Sequence, residues 1–297
     1  MKKDPCILSS SRLHFLLSNV LLQYHDSSQP FGVLFSGGLD SSVIAAMLLE
    51  THQKPIQLFV VGIESAKDIV QARMAAESLN LPLAIQLFTA EDVQEALPSI
   101  LSILGRVDVL HTELAIPHFF ATRCAERFRI RTLFSGQGAD ELFGGYAKHE
   151  KQLIEADEQA VVTQMVADFQ VLHKETLPLM TTIAEHFNLK LVVPYLDQTI
   201  RDFSSALPLS CKIVQTSEGV VRKRVLRLLA NSLKLPSQVV NAPKRALQYG
   251  SGAHRILENL AASHWLEVDP NLSQREARTH NRIEDYLRLL KHKQSEE

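Results

Sequence analysis

The sequence predicts a doubly wound parallel α/β sheet followed by a helical C-terminal region. Three observations carry this. Short apolar runs alternate with helical patterns from residue 31 to residue 135. Gly-rich breaks follow two of those runs, at 36–38 and 135–138. Beyond Tyr146 the strand signal fades and helical spacing takes over. Strand and helix alternating at this interval make a parallel sheet with helices on both faces.

The elements follow in order. Residues 12–25 place Leu13, Leu16, Leu17, Val20, Leu21 and Tyr24 at helical spacing behind Ser9-Ser10-Ser11, and a polar loop covers 26–30. Strands are expected at 31–35, 56–63, 83–88 and 131–134. Between them the pattern predicts helices over 40–49, 66–80, 91–104 (with Pro98 as an irregularity) and 117–128. Later helices are expected at 156–174, 176–188, 197–206, 217–233 and 274–293, with Val192-Val193-Pro194 as a short extended piece. There are no internal repeats. The expected organisation is an N-terminal helix (1–29), an α/β domain (30–150) and a mainly helical region (151–297). Parallel sheets bind ligands at the carboxyl ends of their strands. The two Gly breaks, about 100 residues apart, therefore share one edge and can converge on one site.

Composition excludes several classes. Lys and Arg number 31 against 33 Asp and Glu, net −2, which argues against nucleic acid as the main partner. No apolar run approaches the ~20 residues of a membrane span; 55–63 is among the longest. Met1-Lys2-Lys3-Asp4-Pro5-Cys6 has no apolar signal core. Cys6, Cys124 and Cys211 are odd in number and far apart, which predicts neither a disulfide framework nor a zinc site, and a reducing cytoplasm. The 12 histidines are scattered, so a histidine metal site is not expected. A chain this long buries roughly 75% of its unfolded surface and needs no covalent staple.

The first loop reads Ser36-Gly37-Gly38-Leu39-Asp40-Ser41-Ser42, between a buried strand and a helix. Its glycines admit close backbone approach, and its hydroxyls and helix amides supply donors where the helix dipole favours an anion. The plain alternative is a tight turn with Asp40 as helix N-cap. No Gly-Lys-Ser/Thr ending follows, so there is no lysine for a γ-phosphate. Asp40 can ligate Mg²⁺ between phosphates.

The second loop reads Ser135-Gly136-Gln137-Gly138-Ala139-Asp140-Glu141-Leu142-Phe143-Gly144-Gly145-Tyr146. Gly136 and Gly138 open a second cradle, and two carboxylates facing a triphosphate need a divalent metal; an acidic helix cap and a Gly-Gly turn is the alternative. The densest basic cluster is Arg222, Lys223, Arg224, Arg227, Lys244 and Arg245. On a helix Lys223 and Arg227 would share a face. The cluster reads as a solvated face, a phosphate clamp or, against the net charge, a tRNA strip. Lys244, beside a Gly-rich stretch, is placed to meet charge on a departing pyrophosphate.

The first loop resembles that of the N-type ATP pyrophosphatases. The second resembles the signature of asparagine synthetase synthetase domains, usually S-G-E-G-x-D-E-x-F-G-G-Y. Val193-Pro194-Tyr195-Leu196-Asp197, Lys223-Arg224-Val225-Leu226-Arg227 and the stretch from Pro243-Lys244-Arg245 to Gly250-Ser251-Gly252 are similar to further elements of that family, in the same order from about Leu13 to Gly252. The resemblance implies an adenine nucleotide alpha hydrolase-like fold and an ATP- and Mg²⁺-dependent ligase. Such an enzyme adenylates a carboxylate, by default aspartate, releases pyrophosphate, and passes ammonia or another amine to the acyl group.

It further implies that Ser36, Gly37, Gly38, Asp40, Ser41 and Ser42 hold phosphates, and that Asp40 and Asp140 hold Mg²⁺. Lys244, supported by Lys223, neutralises pyrophosphate. Phe35, Val61 and Gly62 offer backbone to adenine, Ser135, Gly136 and Gly138 form the second cradle, and Asp197 (otherwise a helix N-cap) lies near the acceptor. Gln137 departs from the family's usual Glu and cannot take a proton, so the base is sought in Glu141, Asp197 or pyrophosphate. Amidotransferase relatives carry a glutaminase domain with a cysteine at position 2, where this sequence has Lys2. The expected nitrogen source is free ammonia or a separate glutaminase, and a homodimer is allowed. A tRNA-modifying enzyme of the same superfamily and a non-catalytic ATP-binding partner are the competing readings.

Overall fold

The computed structural model describes residues 4–24, 29–242 and 246–296. Five parallel strands form the central sheet: β1 (Phe31–Leu34), β2 (Ile56–Gly62), β3 (Leu83–Leu87), β4 (Thr132–Ser135) and β5 (Lys190–Val192). Their order is β3-β2-β1-β4-β5. β1 pairs with β2 on one side and with β4 on the other, Leu34 lying level with Phe59 and with Ser135. The chain runs outward from β1 to β3, then returns to build β4 and β5 on the other side. The strand order thus reverses between β1 and β4, and ligands bind at such a reversal.

Apolar strands buried on both faces need helices on both faces. On one face Leu13 and Leu17 of the Pro5–Leu22 helix, Val43 and Ile44 of Leu39–Thr51, and Leu226 and Leu229 of Arg224–Ser232 share a core with Phe31 and Val33. On the other, Leu97 (Ala90–Leu104), Phe120 (Val109–Arg127), Ile183 (Leu177–His186), Leu257 (Ala253–Val268) and Leu287 (His280–Glu296) pack with Phe59 and Leu133. Both cores therefore draw residues from the C-terminal half. Among the described residues no helix is long and apolar enough to cross a membrane.

Several expectations are corrected. The expected helix over 217–233 is an antiparallel hairpin, β6 (Ile213–Thr216) and β7 (Gly219–Arg222), and its helix begins only at Arg224. The β-branched Ile213, Val214, Val220 and Val221 favour strand over helix there. Lys223 therefore precedes that helix and shares no helical face with Arg227. The first helix starts at Pro5, where the Asp4 carboxylate accepts the Cys6 N–H at 3.0 Å; the later Ser9 and Ser10 hydroxyls donate back to carbonyls and start nothing. The helix expected from 117 begins at Val109, capped by Asp108, so Pro117 lies inside it. The extended piece near 192 is a full fifth strand, and the Ala253–Val268 helix was not expected.

The cysteine reading is also corrected. Cys6 and Cys211 form a disulfide, with Cα atoms 5.3 Å apart. The Pro5–Leu22 helix packs beside Arg224–Ser232 and brings together residues 205 apart in sequence, a proximity that spacing cannot show. The pair removes the cysteine argument for a reducing compartment. Cys124 is free and buried.

Candidate active site

The loops after β1 and β4 meet backbone to backbone. A Cβ on Gly136 would lie 2.8 Å from Ser41 N, so only glycine permits this approach. Two cavities open at the junction and share Ser36, Asp40 and Asp68. One, of about 560 Å³, is lined by polar and cationic groups, including Gln71, Arg222, Lys223 and Arg227. The other, of about 760 Å³, is lined by the ends of β1 and β2, by Pro117, His118 and Ala121, and by Ser135, Gly136 and Gln137.

Lys223 is the hinge of the polar cavity. Its backbone sits in the left-handed region at φ 55°, between β7 and the helix that follows. Its ammonium donates to Asp40 Oδ1 and Oδ2 at 2.7 and 2.6 Å and pairs with Asp140 Oδ1 at 2.7 Å. All three side chains are buried or nearly so. A Cβ at Gly145 would lie 2.0 Å from Asp140 Oδ1 and 2.1 Å from Lys223 Cε, so the Gly144-Gly145 turn makes room for this trio. Arg222 donates to Gly145 O at 3.0 Å, and Arg227 donates to Arg222 O at 2.7 Å. Burial, and secondarily the charge of Arg222, pull the Arg227 pKa down, yet a guanidinium remains charged at any physiological pH. Three cations thus face one cavity.

Two carboxylates and the phosphates of a bound nucleotide are a usual donor set for Mg²⁺. Asp40 and Asp140, both within 2.7 Å of one ammonium, are close enough to each other to share a cation, so the residues fit that metal. Among the described residues no group of three or more His, Cys, Asp or Glu side chains forms a metal cage.

The other expected residues are placed as follows. Ser36 lines both cavities, and its hydroxyl accepts the Gly38 N–H at 3.3 Å. Gly38, not Asp40, is the N-cap of the Leu39–Thr51 helix. Gly37 O accepts from Gln71 at 3.1 Å. Ser41 lines the second cavity, whereas the Ser42 hydroxyl is buried, lines neither cavity and has no partner among the described residues. Phe35 and Val61 line the second cavity; Gly62 lies instead under the turn whose Ser251 O accepts the Ile63 N–H at 2.9 Å. Gly138 packs against Leu196.

Glu141 accepts the Tyr146 hydroxyl at 2.6 Å and lines a separate cleft with Met165 and Phe169. Asp197 caps the Gln198–Ala206 helix, accepting Thr199 N–H at 2.8 Å and its hydroxyl at 2.6 Å, and lines neither cavity. Lys244, with Pro243 and Arg245, lies outside the described residues. Its neighbours Ala242 and Leu247 line the polar and the second cavity respectively.

Sequence reasoning missed Asp68, Gln71 and His118. Asp68 is 7% exposed and borders both cavities. The signal was available: Asp68 opens the helix after β2, at the same carboxyl edge as the two Gly loops.

The asparagine synthase family model matches residues 16–176 and 155–296. A putative glutamine-hydrolyzing asparagine synthetase of Methanocaldococcus jannaschii is 28% identical over 305 residues, covering 93% of this chain and 54% of that protein. The glutamine-hydrolyzing asparagine synthetase of Brassica oleracea is 27% identical, covering 75% of this chain and 40% of its own length. The chain spans about half the length of the curated relatives it matches. Among solved structures, an NMN synthetase from Francisella tularensis aligns over 96% of this chain and 94% of its own at 14% identity and a TM-score of 0.42, a level that carries nothing about function. The two matched segments together take in both strand-end loops, the Lys223 turn and the C-terminal helices: the chain belongs to the asparagine synthase family.

Proposed function

We propose that this chain joins a carboxylate to an amine at the expense of ATP, through an acyl-adenylate, with aspartate and ammonia as the default pair. The observation that supports it is the arrangement of Arg222, Lys223 and Arg227 at the polar cavity, which shares Ser36, Asp40 and Asp68 with the second, partly apolar cavity. A triphosphate running from the second to the polar cavity would put its outer phosphates among those cations.

In the first step a substrate carboxylate oxygen attacks the α-phosphorus, and the bond from that phosphorus to the bridging oxygen breaks. The carboxylate is already ionised and needs no base. Arg222, Lys223 and Arg227 meet the charge that grows on the leaving pyrophosphate, where preorganised donors contribute most. Lys244 keeps this role in the reading by the family resemblance alone. Mg²⁺, held by Asp40 and Asp140, would neutralise phosphate charge when bound.

In the second step the amine attacks the acyl carbon and AMP leaves. The adduct must lose a proton. Gln137 lines the cavity but has no basic lone pair. Glu141 is engaged by Tyr146 and lines a separate cleft, and Asp197 caps another helix. In this reading the departing pyrophosphate takes that proton.

The test is a screen of carboxylates and ammonium for AMP and pyrophosphate release from ATP. Stoichiometric AMP and pyrophosphate with one amide product is the expected outcome. ADP and phosphate as the products would overturn the assignment.

A further inference from the structure

The proposed reaction leaves His118 unused. It lies on the Val109–Arg127 helix between Pro117 and Ala121, and all three line the second cavity with Phe35 and Val61 at the strand ends. The residue is 6% exposed, and its Nε2 is buried with no hydrogen-bond partner among the described residues. Burial alone pushes its pKa down to about 4, with no charged neighbour contributing, so the ring is neutral around pH 7. Buried polar atoms in folded proteins are almost always paired. The ring already lines the cavity, and a small turn of the imidazole would present this unpaired nitrogen to a molecule bound there.

The chemistry of that visitor follows from the wall. Pro117, Ala121, Phe35 and Val61 offer flat apolar contact, while Ser36, Asp40 and Ser41 mark the end toward the phosphate loop. A neutral imidazole carries one N–H and one lone pair, which suit the edge of an uncharged heterocycle. A substrate carboxylate at the same spot would favour the imidazolium form, which this wall disfavours.

We propose that His118 is a nucleobase-reading residue, its ring hydrogen-bonding the edge of the purine of the bound nucleoside triphosphate. This rests on the reading of the paired cavities as an ATP site.

The experiment compares kcat/KM for ATP with that for purine riboside triphosphate and for 1-, 3- and 7-deaza-ATP, in wild type, His118→Phe and His118→Gln. Phe keeps the bulk without the hydrogen bond; Gln keeps a donor and an acceptor. In His118→Phe the preference for ATP over the analogue that lacks the contacted atom should fall about tenfold, as loss of one hydrogen bond predicts, with kcat for ATP changed little. His118→Gln should recover part of it. Where His118→Phe fails to fold, histidine ¹⁵N spectra of the wild type answer instead: the His118 Nε2 resonance should move on adding α,β-methylene-ATP and stay put with pyrophosphate alone. Unchanged preferences for every analogue, or an unmoved resonance at saturating nucleotide, overturns the proposal while leaving an ATP-using enzyme intact. A protein that binds no ATP at all sinks this inference together with the function it rests on.

Discussion

Lys223 meets Asp140 at 2.7 Å across a turn that is open only because residue 145 is glycine. The same ammonium lies 2.6 Å from Asp40, so one cation ties together the β1 loop, the β4 loop and the hairpin. Removing one partner of a buried ion pair leaves a stranded charge and typically costs 3–5 kcal/mol. Lys223→Met should therefore lower the unfolding free energy by about 3 kcal/mol in urea titrations. Lys223→Met combined with Asp140→Asn should cost less than Lys223→Met alone, because one of the two stranded carboxylates, Asp40 and Asp140, is then gone. A double mutant that is simply the sum of two losses would show that the pair is not coupled.

Gly145→Ala tests the same trio by volume. The new methyl would occupy the place of Asp140 Oδ1 and Lys223 Cε. Both side chains are buried and have little room to yield. The expected result is a folded protein, destabilised by about 1–3 kcal/mol, whose carboxylate-dependent AMP release drops by roughly 100-fold, the scale for losing one preorganised electrostatic group. Wild-type AMP release in a folded Gly145→Ala protein would mean that the trio is not needed in this arrangement.

Much of this site was legible because its signals are local. Strand, Gly-rich break and helix lie within a dozen residues at Phe31 to Ser42, and again at Thr132 to Phe143, and the parallel-sheet rule puts both breaks on one edge. What could not be read depends on tertiary contact. The Cys6–Cys211 pair needs the Pro5–Leu22 helix docked beside Arg224–Ser232. Lys223 needs the hairpin, which helical spacing over 217–233 disguised. The helix expected over 117–128 is capped by Asp108 instead, and this earlier start sets which face His118 presents. Glu141 and Asp197 carry the right chemistry, but their partners are Tyr146 and Thr199.

The disulfide gives a chemical test independent of activity. The chain has three cysteines, so the unfolded, unreduced protein should titrate a single thiol, Cys124, and all three after reduction. Cross-links that close long loops restrict the unfolded chain most, and this one joins residues 205 apart. Reduction, or Cys6→Ser with Cys211→Ser, should lower stability by about 2–4 kcal/mol. Three titratable thiols in the unreduced, denatured protein would remove the cross-link from the account.

His118 sets a pH dependence whose sign can be worked out. Its pKa is about 4 in the folded chain against 6.5 for an unperturbed histidine. Above pH 6.5 neither folded nor unfolded His118 binds a proton, and it contributes no slope. As pH falls below 6.5 the unfolded chain takes up the proton first, so the unfolded state is favoured progressively until about pH 4. Linkage puts the loss at up to about 3 kcal/mol across that window. His149 acts in the same direction, because burial lowers its pKa too, although its bond to Asp168 opposes the shift. Carboxylates titrate in the lower part of the window in every variant, so the informative quantity is a difference. Stability measured by urea at about pH 4.5 and about pH 7.5 should fall less steeply with acid in His118→Phe than in wild type, by about 0.6 proton in the mean slope. Equal slopes in the two proteins would mean that His118 is solvated or paired in solution, and its Nε2 would then have no unmet demand for a ligand to satisfy.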